Sequence, residues 1–147
     1  MVDDSVRVFC AIHCTVAAGP TRKKPQDSTQ TTKSDTIEYR VGRRASITEN
    51  SKAVLVVLVS IDSKHFVRAD MLKLAQQLKQ DFEFESRVRV DIFDDYSAAS
   101  AWDPVHFYGP FQAAHRGTYY RDVKPVKEYI EFSVARGKRK KRIMLGK

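Results

Sequence analysis

The spacing of apolar and polar residues changes several times along the chain, and each change marks an element. After a long polar stretch, "TIEYRV" places Ile37, Tyr39 and Val41 at alternate positions, the period of a half-buried strand. The run from Ala53 to Val59, with Ile61 after Ser60, is apolar throughout and rich in valine. Lacking a polar face, it predicts a central strand covered on both sides. Helical spacing follows. Val67, Met71, Leu74, Ala75, Leu78 and Phe82 make one stripe, with Lys73, Gln76, Gln77, Lys79 and Gln80 on the wet side. In "SRVRVDIF" the period returns to two, setting Val88, Val90 and Ile92 against Arg87, Arg89 and Asp91. Strand, helix and strand in this order predict a crossover unit with its two strands parallel.

Beyond that unit, Asp94 or Asp95 is placed to cap a short helix over "YSAASAW". Pro104, Gly109 and Pro110 then break the backbone into a loop. "GTYYRD" and "EYIEFSV" read as paired strands with Pro125 in the connection, "ARGKRKK" as a turn, and "RIML" as a short returning strand. The expected fold class is α/β (α+β). Its sheet is small and mixed, of three to five strands, in the order β-β-α-β-(short α)-β-β with one main amphipathic helix.

A chain of 147 residues has the length of one domain, and folded structure is expected over 36–147. The polar segment 20–35, "PTRKKPQDSTQTTKSD", buries too little to order itself and is expected to be a flexible linker. Ahead of it, in residues 1–19, the apolar run Val8 to Ala18 follows Arg7 and ends in small residues, resembling a secretory leader. Asp3, Asp4 and His13 fit that pattern poorly, and a first β-strand is the alternative. With the leader, the protein is exported to the cell envelope or beyond it; without it, cytoplasmic. Cleavage near Ala18 would remove both cysteines, Cys10 and Cys14. No apolar run is long enough to span a bilayer.

Charge changes the picture only at one end. Of 26 Lys and Arg, seven lie between Val134 and Lys147 with no acid among them, leaving 19 against 18 acidic residues before it. Arg136, Lys138, Arg139, Lys140, Lys141 and Arg142 are therefore candidate binding residues for an anionic polymer, including weak non-specific contact with nucleic acid phosphates. No aromatic residue accompanies them for base stacking. The competing reading is a solvated hairpin turn. Phe107, Tyr108 and Phe111, between His106 and His115, either seal the core or form an aromatic patch for a protein partner. Tyr119, Tyr120 and Tyr129 point to the same contact role, or simply suit strands.

The one candidate catalytic set is Asp62, His65, Asp94 and Asp95, at two adjacent strand ends. Asp62, Asp94 and Asp95 carry the oxygen ligands a Mg²⁺-dependent phosphoryl or ester hydrolase needs. Aspartates after strands more often cap helices. The six glycines stand apart and form no phosphate loop, and no cofactor is expected. The chain is expected to be a binding or interaction domain before an enzyme, with a nucleic-acid-associated protein second and the hydrolase third.

Overall fold

A computed structural model of the chain describes residues 35–103 and 112–146. The chain divides into two units, Met1–Asp35 and Thr36–Lys147, and the second is described below. The expected leader, the linker up to residue 34, and His106, Phe107, Tyr108 and Phe111 lie outside the described residues.

The fold is α+β. Its six strands are β1 (Arg40–Glu49), β2 (Lys52–Ser60), β3 (Arg87–Phe93), β4 (His115–Val123), β5 (Val126–Phe132) and β6 (Lys141–Met144), and they lie side by side in chain order. Only β2 and β3 are parallel, with Val57 opposite Val90; the other neighbours run antiparallel. Helix α1 (Arg68–Asp81) makes the crossover between β2 and β3, and α2 (Tyr96–Ala101) follows β3. The expected order of elements holds.

The sheet has one strand more than the three to five expected, because the short returning segment "RIML" pairs with β5 as β6; the first strand also differs from its expected bounds. "TIEYRV" was expected to be the first strand, yet β1 starts at Arg40 and continues through the charged "GRRASITE". Those side chains are tolerated because β1 is the edge strand of the described sheet. Asn50 and Ser51 join it to β2 with φ of 50° and 63°, the left-handed pair that a two-residue hairpin requires. Residues 37–39 leave the sheet and lie against α1. The Gln77 amide accepts from Ile37 N (3.1 Å) and donates to Ile37 O (3.2 Å), and Tyr39 OH donates to Asp81 at 2.6 Å.

Both faces of β2 are buried, as its unbroken apolar run requires. Val57 and Val59 meet α1 residues Met71, Leu74, Ala75 and Leu78, with Val88, Val90, Ile92, Tyr119 and Ile130 from the neighbouring strands. Fully burying a Leu such as Leu74 or Leu78 contributes about 1.5–3 kcal/mol. On the other side Val54, Val56 and Leu58 pack with Phe93, Ala98, Ala99 and Trp102. This second layer depends on Gly42: a Cβ there would sit 2.6 Å from the Ala99 carbonyl carbon, so α2 lies directly on β1 backbone. The helical stripe is shifted at its start. Val67 is 45% exposed at the N-cap, while Phe66, one residue earlier, is 1% exposed and fills the core.

Candidate functional site

The strand ends that carry Asp62, His65, Asp94 and Asp95 are neighbours, since Ser60 pairs with Phe93 and Ile61 N donates to Phe93 O, but no contact joins the two sets of side chains among the described residues. Each is already engaged. Asp62 accepts from Lys64 N at 3.0 Å and pairs with the Lys64 ammonium at 3.2 Å; the backbone bond foremost holds its carboxyl below the ordinary range. His65 Nδ1 lies 2.8 Å from Asp70 in the first turn of α1. Asp95 caps α2, accepting from Ala98 N at 3.0 Å. Among the described residues no cluster of three or more His, Cys, Asp or Glu side chains is arranged to hold a metal ion.

Asp94 is the residue with an unforeseen task. Its carboxylate, 4% exposed, accepts from Arg116 Nη1 at 2.7 Å and from Arg136 through Nη2 at 2.6 Å and Nε at 2.9 Å. Burial alone would raise its pKa, but the two guanidinium partners outweigh that and hold the carboxyl below the usual carboxylate range. Arg116 is itself buried, lies over the Phe66 ring at 4.3 Å, and donates to the Ser133 and Val134 carbonyls. The two arginines thus pin both ends of the segment 133–136 that leads from β5 into the basic turn. Within that turn Lys138 N donates to Ala135 O, and Gly137 takes φ of +72°, which a side chain would strain.

A second polar cluster lies on the sheet face opposite α1. Asp91 is 3% exposed and accepts from Arg89 Nε (3.2 Å) and Thr118 Oγ1 (3.1 Å), with His115 Nε2 at 3.3 Å. Burial opposes its charge, yet these partners lower its pKa overall. Lys140 Nζ lies 2.8 Å from His115 Nδ1, and the other ring nitrogen, Nε2, faces Asp91. Trp102 stacks on His115 at 5.9 Å between centroids. Burial lowers the Lys140 pKa. Lys140 is therefore tied inward rather than offered to solvent.

The basic segment separates into held and unheld cations. Arg136 and Lys140 are anchored as described, and Arg142 pairs with Glu131 at 2.9 Å and covers the Tyr129 ring at 4.3 Å. Lys138, Arg139 and Lys141 have no ion pair or side-chain hydrogen bond among the described residues. Arg139, Lys140, Lys141 and Arg142 line a groove of about 630 Å³ together with Arg68, Phe132, Val134 and Ile143. Arg68, from the first turn of α1, is likewise unpaired among the described residues. Among the described residues no acidic side chain lines the groove. Arg68 was missed by the sequence reading, because only the fold brings α1's start beside β6.

Of the tyrosines, Tyr119 is buried against α1 with its hydroxyl on Glu128 at 3.0 Å, so it is no contact residue. Tyr120 and Tyr129 are cross-strand partners stacked 5.4 Å apart on the opposite face. Among the described residues no helix is long and apolar enough to cross a membrane. Compared with known proteins, the chain matches no family model, no curated protein and no solved structure.

Proposed function

We propose that this chain is a binding domain that takes an anionic partner in the groove between the start of α1 and β6. The observation that carries this reading is the unbalanced charge of the groove. Arg68, Arg139 and Lys141 line it without ion-pair partners among the described residues, and the described lining carries no carboxylate, the nearest being Glu131, which Arg142 engages. Several cations elsewhere in the sheet are paired, Arg87 with Asp122, Arg89 with Glu49 and Asp91, and Lys79 with Glu128. Cations left without counter-charges in a concave site raise the local concentration of anions. Guanidinium groups also donate bidentately to phosphate or carboxylate oxygens. The pinning by Arg116, Asp94 and Arg136 supports the reading, since a preorganised wall loses less entropy on binding.

The test is calorimetric titration with inorganic tripolyphosphate at low and moderate salt. Binding should weaken as salt rises, and Arg68→Gln with Arg139→Gln and Lys141→Gln in one chain should abolish it. These three side chains are surface groups, so the variant keeps the wild-type melting temperature. Equal affinity in the two chains would refute the assignment.

A further inference from the structure

We infer that the groove's ligand is an amphipathic anion, a monomeric phosphate ester or carboxylate carried on an apolar chain. The inference rests on the anion-binding reading above and goes beyond it to the other half of the ligand. The groove is not lined by cations alone. Phe132, only 3% exposed, closes it at the end of β5, and Val134, in the bend two residues on, is 60% exposed. Ile143, from β6, is partly buried against the α1-side core and completes the apolar wall. Cations stand around this floor from two directions, Arg68 on α1 and Arg139 and Lys141 on the arm and β6.

A polyanion with no apolar part would satisfy the cations and leave Val134 and Ile143 in water. An apolar ligand with no charge would place its chain correctly but leave the cations unused. A single anionic head on an alkyl chain satisfies both, the head accepting from Arg139 or Arg68 while the chain lies along Val134 and Ile143. The volume of about 630 Å³ falls within the range of roughly 300–1,000 Å³ usual for small-molecule sites. Val134 uses only its carbonyl to hold the fold, through Arg116, so its side chain is available to a ligand.

The decisive experiment titrates the full chain with ethyl, hexyl and octyl phosphate below their micelle concentrations, beside octanol and vesicles containing phosphatidic acid. Affinity should rise with chain length, by up to about fourfold per methylene buried. Val134→Gln should flatten that rise, weakening octyl phosphate far more than ethyl phosphate. Arg139→Gln with Lys141→Gln should weaken every phosphate, and octanol should bind far more weakly than octyl phosphate. Equal affinity for ethyl and octyl phosphate would overturn the inference and leave the anion site standing. Binding to vesicles but not to monomeric octyl phosphate would also overturn it, in favour of a membrane surface. Failure of every phosphate, tripolyphosphate included, would remove both readings together.

Discussion

Replacing Asp94 by Asn removes one charge and almost no volume, and it should cost this domain a large share of its stability. Two contributions are separable by exposure. The Asp94–Arg116 pair is 4% and 5% exposed, so neutralising the acid leaves a buried guanidinium uncompensated. Breaking such a pair from one side costs about 3–5 kcal/mol. Arg136 is 54% exposed, so water screens its contribution and leaves it the smaller of the two. Arg116 keeps its Ser133 and Val134 carbonyl acceptors, which places the expected loss near the lower bound, about 3 kcal/mol. Domains of this kind have roughly 5–15 kcal/mol in total. Urea unfolding followed by circular dichroism measures the change, with the slope checked for constancy. Arg136→Gln, as the exposed-arm control, should lose clearly less than Asp94→Asn. The reasoning is refuted if Asp94→Asn loses less than the Arg136 variant. It is refuted equally if Mg²⁺ raises the unfolding midpoint of the wild-type chain but not of Asp94→Asn, since Asp94 would then be a metal ligand rather than a clamp.

Two further predictions concern the same architecture. Gly42→Ala should destabilise by about 1–3 kcal/mol, because the added methyl meets Ala99 backbone rather than a side chain that can turn aside; a thermal shift within error of zero would contradict the close approach of α2 to β1. Acid should unfold the domain through Asp91 and Asp94, whose folded pKa values are depressed below the unfolded 3.8. Their stabilisation is fully present above the unfolded value and is lost as pH falls through the folded ones, so the urea midpoint should drop below about pH 4. In Asp94→Asn that drop should be shallower.

The parts of this fold that could be read from the chain are those where burial writes a period. The seven-residue apolar run of β2, the stripe from Met71 to Leu78 and the alternation of Val88, Val90 and Ile92 each reported their own surroundings. β1 could not be read this way, since its stability comes from the hairpin at Asn50–Ser51 and from Gly42 under α2, and edge strands need no apolar alternation. The acidic pair "DD" was legible as strand-end chemistry but not as a division of labour. Asp95 caps a helix, whereas Asp94 answers two arginines, one 22 and the other 42 residues away. Arg116 left no trace, because a buried arginine beside Gly117 looks like any surface cation until the strands are assembled. The basic run showed its charge plainly, yet which cations are held and which face the groove depends on Asp94, His115 and Glu131, all from other elements.

Mapping amide chemical shifts during titration with tripolyphosphate tests the central claim most directly. Saturable shifts confined to Arg68, Arg139, Lys141 and Ile143, with Lys52 and Lys127 unmoved, are the result this account predicts. Small, unsaturable shifts spread over every exposed lysine would mean that the basic end is only a solvated corner.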